Sequence, residues 1–546
     1  MTATSVNTPS DTGAEKASRD AFVCLTQFGW RGGIAAILIG LTLSFFLAGY
    51  FVIYWRNADM DFMIVYTALA MNDGKPQVFV DHPAYLTILS VKAWFAAMHA
   101  LGLFDAWKLS AIPTALNLPA FDEAMTSAIR AGRIVAFLTG IAFVTIYAAL
   151  IRHVVRDWRV ALLTTFAFAF SGGVAVQLRI LRSEMIAGCL FAFAFLVLVI
   201  VAKRATSWRP LTVAAAAALC VLGMENKVQI ILLIAALPVL MLPMGSPASA
   251  STAFWDNSAR AWLAMTASIV IAALAVMLAL PIVRAGLDPA ATSLKPLLAG
   301  RFGVYQIMLL GWIATGMVAF AAIWRVSVTE TLTAFFAAIA GACFALLALN
   351  IQYNIGNVVA VINPIEKMLA FADTPVTSAV GGGALLASLQ LLLDGVISVL
   401  KRYSFVLFTS PRPTVFLVWL IVPGIVYAWR RGEKQVALQA ALLMLAAVGV
   451  DALGVRRGLK TEYFIFTDPL IILAGALLLD KLDDLRWARW SYPIGVALIV
   501  VHAAISQAEP VKHVFKKSGP EYICEWNQFY QPELPLPWCE LPPKRP

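Results

Sequence analysis

The residues of this chain that could do chemistry gather where its apolar runs stop. The densest group is Trp55-Arg56-Asn57-Ala58-Asp59-Met60-Asp61-Phe62, followed by Tyr66, Asp73-Gly74-Lys75-Pro76 and Asp81-His82-Pro83. Asp59 and Asp61 flank a single methionine just after the first long apolar run. A carboxylate at such a boundary can deprotonate a hydroxyl if partial desolvation or a nearby like charge raises its pKa. Either aspartate fits that role. Asp61 also suits the N-cap of a helix that follows, and a loop carboxylate can equally be solvated surface. A second set is cationic. Arg179, Arg182 and Glu184 precede one apolar run, Gly223-Met224-Glu225-Asn226-Lys227 precedes another, and Arg456-Arg457-Gly458-Leu459-Lys460-Thr461-Glu462-Tyr463 leads to Asp468-Pro469. Arginine grips phosphate oxygens in bidentate fashion, so these positions suit an anionic lipid-linked head group. The plainer alternatives are contact with anionic lipid at Arg456, Arg457 and Lys460, and a helix-end ion pair between Arg182 and Glu184.

Other chemistries find less support. The five histidines show no tight metal-ligand spacing, and His82, beside Pro83, fits a turn as well as a ligand contact. Asp59, Asp61 and Glu184 could share a divalent ion, but no cofactor or metal is required by the pattern. Walker A and dinucleotide fingerprints are missing from the sequence, so direct nucleotide use is unsupported. Cys524 and Cys539 stand in a Pro-rich, aromatic segment. A disulfide between them would close a loop of about fifteen residues, an unfolded-state constraint of roughly 3 kcal/mol. Cys189, Cys220 and Cys343 lie in apolar runs and read as core.

The elements that must hold these groups are membrane helices. Of the residues, 61% are hydrophobic and 13% charged, against roughly 25% charged in soluble domains. The excess comes in near-uncharged blocks such as Ile34–Tyr54, Ile134–Ile151, Met185–Ala202, Val228–Leu242 and Ala261–Val283. Several reach the roughly 18–20 residues that cross the hydrocarbon. Helices satisfy their own backbone there, and the alternating pattern of a barrel is absent. The reading is an all-α polytopic membrane protein of about thirteen spans. It runs as a disordered N-terminal segment 1–31 with no cleavable leader, a membrane domain 32–506, and an outer tail 507–546. Short basic loops, among them Arg152 to Arg159, Lys203-Arg204 and Arg430-Arg431, fall inside, which also accounts for much of the net charge of +10. Nucleic acid is therefore not an expected partner. The long segments 55–130 and 350–412 fall outside. The first is expected to hold non-spanning helices over Asp61–Asn72 and Ala84–Leu103. In the second, Gly381-Gly382-Gly383 reads as a hinge before an apolar helix over Ala384–Leu400.

This arrangement resembles the GT-C superfamily of polyprenyl-phosphate-sugar glycosyltransferases, especially its protein O-mannosyltransferase and aminoarabinose lipid A transferase branch. The matching features are the acidic residues Asp59 and Asp61 after the first span, Tyr66, a helix ending at Gly74, Asp81-His82-Pro83-Ala84-Tyr85, and Arg130 or Arg133 before the second span. The order of the later basic stretches matches as well. One departure is Met60, where the family often has adjoining acids. The resemblance implies an inverting transfer of sugar from a polyprenyl phosphate to a lipid, glycan or protein hydroxyl. The site would face the exterior of a bacterial inner membrane, as in lipopolysaccharide or glycan modification. Asp59 or Asp61 would be the base. Arg456, Arg457, Lys460, Lys227 and Arg182 would hold the donor phosphate, and Tyr66, His82, Glu184 and Tyr463 would line the substrate site. A transporter or polymerase of lipid-linked glycans is the alternative.

Overall fold

A computed structural model describes residues 29–57, 61–77, 84–114, 116–204, 210–246, 254–286, 302–352, 393–401, 403, 415–454, 461–481, 488–514, 524, 527, 531–534 and 536–539. All regular structure among them is helical. Seven helices are long and apolar enough to cross a membrane. They lie in α1 (Gly29–Phe45, extended by a π-turn to Tyr50), α4 (Leu118–Val154), α7 (Glu184–Arg204), α10 (Ala259–Gly286), α11 (Phe302–Trp324), α12 (Val328–Gln352) and α14 (Lys434–Gly454). Further apolar helices are shorter: α5 (Trp158–Ala169), α8 (Pro210–Asn226), α9 (Ile230–Met241), α13 (Val415–Arg430) and part of α16 (Ala488–Val514). The chain is thus an all-helical membrane protein, with fewer full-length spans among the described residues than the thirteen expected.

Three expectations change in detail. The apolar stretch after Arg159, long enough to read as one of the thirteen spans, is broken, because Ser171 caps a new short helix, α6 (Gly172–Gln177), by accepting from Val174 N at 3.3 Å. The second span is longer than 131–151: α4 has 37 residues, about 55 Å, against about 30 Å of hydrocarbon. Its first turns therefore stand outside the membrane. The last long helix, α16, runs past residue 507 to Val514, while its apolar part is Pro493–Ala508. The glycines at 381–383 lie outside the described residues. The helix expected after them is seen over 393–401, where Val399 is buried.

Two cores result. The larger joins buried faces of α1, α4, α5, α7, α8, α9, α14 and α15 (Asp468–Lys481). The smaller lies beyond the end of α1 and is built from α2 (Met63–Asn72), α3 (Tyr85–Ala100), the first turns of α4 and the segment 534–539. The two non-spanning helices are thus present, slightly shorter than expected. Eight consecutive residues of α2, Met63 to Ala70, are buried, so it is the centre of this outer layer rather than a surface helix. It ends at Gly74, whose φ of 77° suits glycine.

Candidate active site at the outer ends of the spans

Asp61 is fully buried and is not a helix cap. Its carboxylate accepts from Arg133 Nε at 2.9 Å and from the Leu181 backbone N–H at 2.7 Å. The Arg133 guanidinium turns the other way as well, donating to the carbonyls of Gly49, Val52 and Ile53. Those carbonyls belong to the π-turned end of α1 and the residues after it, where Gly49 and Ile53 also accept from the Val52 and Arg56 N–H groups. Arg133 therefore closes the outer end of the first span, and Asp61 neutralises the charge that this requires. Both oxygens of Asp61 are committed to holding the fold. That arrangement suits a positioning residue and disfavours a proton acceptor, which needs a lone pair turned to its substrate.

The next residue after Leu181 opens a cluster of charges. Arg182 meets Glu184 at 3.2 Å and Glu462 at 3.6 Å, and Lys227 Nζ meets Glu184 at 2.8 Å. Lys227 also stands 6.0 Å from the centre of the Tyr463 ring. Glu184 and Lys227 are buried, whereas the side chains of Arg182 and Glu462 are 13% and 15% exposed. Three chain segments meet here. Glu184 opens α7, where the helix N-terminus favours negative charge. Lys227 follows α8, which lies close to α7 at Gly223: a Cβ there would stand 3.1 Å from Ala187 O. Glu462 and Tyr463 lie on a 3-10 turn, Thr461–Phe466, that rests directly on Gly173 of α6 and Gly188 of α7. Any side chain at 173 would overlap the Ile465 backbone.

Asn226 ties this cluster to the outer layer. Its amide donates to Ser183 O at 2.6 Å and to Thr87 Oγ1 at 3.0 Å, and its Oδ1 accepts from Thr87 N at 3.1 Å. The Asn226 carbonyl accepts from Ala84 N, and Ala84 is held left-handed at φ 49°. That conformation is costly for a residue with a Cβ. Neither Asn226 nor Thr87 was singled out from sequence as a site residue. The available signal was a polar side chain beside Lys227 at the close of an apolar run. A cavity of about 10 Å³ borders Arg182, Gln177 and Thr87, about the space one water occupies.

Of the residues expected at the site, Arg182, Glu184, Lys227 and Tyr463 come together, and Asp61 is joined to them through the Leu181 peptide. Arg182 and Glu184 do form the helix-end ion pair, now part of a larger cluster. Tyr66 is drawn elsewhere. Its buried phenol, pushed up from its ordinary value by burial, faces the backbone N–H of Glu533. Arg179 also leaves the cluster and donates to Ala175 O, Ser44 Oγ and Gln507 Oε1. Asp59, His82, Arg456, Arg457 and Lys460 lie outside the described residues. Cys524 and Cys539 are bonded, with Cα atoms 5.4 Å apart. The segment they close packs Leu534, Leu536 and Trp538 into the outer core, and Glu533 pairs with Lys75. No group of three potential metal ligands occurs among the described residues.

The sequence matches no protein-family model and no curated protein.

Proposed function

We propose that the chain is an inverting, GT-C-like glycosyltransferase. It takes a sugar from a polyprenyl-phosphate carrier and delivers it to a lipid, glycan or protein hydroxyl at the outer face of a bacterial plasma membrane. The observation that carries this reading is the meeting at residues 181 and 182. Asp61, two positions from Asp59, is bonded to the Leu181 N–H, and Glu462, two positions from Lys460, is paired with Arg182. The described neighbours of the acidic pair and of the late basic stretch therefore adjoin one another. A base and a phosphate site are needed at that separation, since the anomeric carbon lies between acceptor oxygen and leaving phosphate.

In this reading Asp59 is the base, because both oxygens of Asp61 are engaged. Departure of a phosphate needs charge stabilisation more than a proton. Arg182 and Lys227 supply it, with Arg456, Arg457 and Lys460 from the neighbouring stretch. Glu184, buried and within 3.2 Å of both cations, keeps them in place. Glu462, at 3.6 Å and partly exposed, is the carboxylate a donor phosphate displaces. The disulfide belongs to an oxidising compartment and so agrees with an exterior site. The fuller topology of about thirteen crossings belongs to the same proposal, with several shorter apolar helices completing the count. The test is transfer of labelled sugar from defined polyprenyl-phosphate donors by purified protein. Asp59→Asn and Arg182→Gln should each remove turnover by about a hundredfold or more, the scale of a lost base or charge stabiliser. Full activity in Asp59→Asn would end this assignment.

One observation favours a second reading, a transporter of lipid-linked glycans. Glu225, at the end of α8, is fully buried, and among the described residues neither carboxylate oxygen has a hydrogen-bond partner. Buried carboxyls in membrane helices often mark ion or proton pathways. Transport of a lipid-linked glycan in proteoliposomes that is lost in Glu225→Gln, without any sugar transfer, would select this reading.

A further inference from the structure

On the face of α4 turned away from Arg182 lies a separate and larger cavity. Its volume is about 260 Å³, and Phe51, Tyr54, Trp55, Asp122, Thr126 and Arg130 contribute to its walls. Residues 122, 126 and 130 recur every four positions along one side of α4. Val135 and Thr139, which line the small cavity beside Arg182, lie on the other side.

Arg130 is the most telling of these residues. Its guanidinium sits 5.5 Å from the Tyr50 ring centre and 5.6 Å from that of Phe51. Among the described residues its Nε has no hydrogen-bond partner and the side chain has no carboxylate partner. It stands at a definite depth. Arg130 and Arg152 of α4 are separated by about 33 Å along the helix, close to the hydrocarbon thickness of about 30 Å. With Arg152 at the inner boundary, Arg130 is at the outer one. Asp122 lies two turns further out. It accepts from the Tyr54 hydroxyl through one oxygen and leaves the other for the cavity. Below the cavity, Ile39, Leu43, Leu47 and Phe51 form a stripe at four-residue spacing, each at least 58% exposed. Within a membrane that stripe faces acyl chains.

We infer that this cavity is a binding site for the head group of a zwitterionic aminophospholipid, with Arg130 holding the phosphate, Asp122 the ammonium, and the α1 stripe the acyl chains. Charge complementarity chooses the occupant. One cation at the boundary and one carboxylate further out match a phosphate and a terminal amine in that order. Phosphatidylglycerol would satisfy Arg130 equally but brings only neutral hydroxyls to Asp122, where an ammonium brings a charge. A trimethylated amine offers no N–H to the carboxylate. The volume, far above the roughly 10–15 Å³ that admits one water, leaves room for a whole head group.

The experiment uses the full chain in mild detergent. Phosphatidylethanolamine, phosphatidylglycerol and phosphatidylcholine of identical acyl chains are added at equal concentration, and bound lipid is read by native mass spectrometry. Phosphatidylethanolamine should be retained about tenfold over the other two, the scale of one charge-assisted hydrogen bond. Arg130→Gln should lower retention of all three lipids. Asp122→Asn keeps an acceptor for Tyr54 and should abolish the preference. Thr126→Ile, which fills the cavity without altering charge, should reduce retention with the melting temperature unchanged. Equal retention of the three lipids, a preference for phosphatidylglycerol, or indifference to all three substitutions would overturn the inference. Sugar transfer is not the readout, so failure here leaves the proposed activity untouched, and the reverse also holds.

Discussion

Asp61 and Arg133 offer the sharpest separation of structural from chemical roles. Removing the carboxylate with Asp61→Ala leaves a fully buried guanidinium without its counter-charge and the Leu181 N–H without its acceptor. Breaking a buried pair from one side costs about 3–5 kcal/mol. Asp61→Asn also removes the counter-charge and turns its NH2 toward one of the two donors, so a loss in the same range of about 3–5 kcal/mol is expected. Arg133→Met should fall in that range too, because it leaves the buried Asp61 carboxylate without its counter-charge and takes the Arg133 donor from the Val52 carbonyl. The double substitution should be less damaging than the sum of the singles, since neither charge is then left alone. The assay is unfolding of the purified protein followed by intrinsic fluorescence, with sugar transfer measured on the fraction that remains folded. Asp61→Asn should be less stable and retain measurable turnover per folded molecule, whereas Asp59→Asn should be stable and inactive. An Asp61→Asn protein with wild-type stability and no turnover would refute this reasoning and make Asp61 the base.

Glu462→Gln should strengthen donor binding, lowering KM several-fold, because Arg182 loses the partner that competes with phosphate; an unchanged KM would place the donor elsewhere. Replacing Cys524 and Cys539 together by serine should cost about 3 kcal/mol by loop entropy and raise protease sensitivity in the outer layer, checked by limited proteolysis. Glu533 raises the pKa of Lys75 above its ordinary 10.5. The Lys75 contribution is therefore present below its ordinary value and is lost as pH rises through the raised one, so the protection of amides around Glu533, relative to an unstructured peptide at the same pH, should fall in strong alkali. Ala84→Gly should raise stability by up to about 1 kcal/mol, since the left-handed conformation no longer opposes a Cβ, as measured by melting temperature.

The parts of the fold visible in the sequence are those governed by local composition. Apolar runs located α1, α4, α7, α9 and α10 because a bilayer demands them residue by residue. Charged residues at the ends of those runs, Arg182, Glu184 and Lys227, were legible for the same reason, and they do meet. Pairings set by tertiary geometry were hidden. Nothing near Asp61 in the chain announces Arg133, which lies 72 positions away, and Arg130 had an equal claim to be its partner. The break at Ser171 was masked because its neighbours remain apolar on both sides. The contact of Gly173 and Gly188 with the Ile465 backbone requires two helices to be packed before either glycine has a meaning. Tyr66 looked like a substrate contact because it follows the aspartates, yet Glu533 claims it from far along the chain.

The outer core is also a matter of timing. Lys75 and Glu533 are 458 positions apart, and Leu534, Leu536 and Trp538 complete a cluster begun by residues 54–136. While the ribosome is still making the intervening spans, that early exported loop lacks part of its apolar filling. Contacts this distant in sequence close late in folding. On the proposed exterior placement, a nascent chain carries an unfinished, sticky outer layer until the 531–539 segment has been exported and the Cys524–Cys539 bond has formed. Maturation of this protein should depend on the oxidising machinery of that compartment, and chains stalled before residue 531 are natural targets for its proteases.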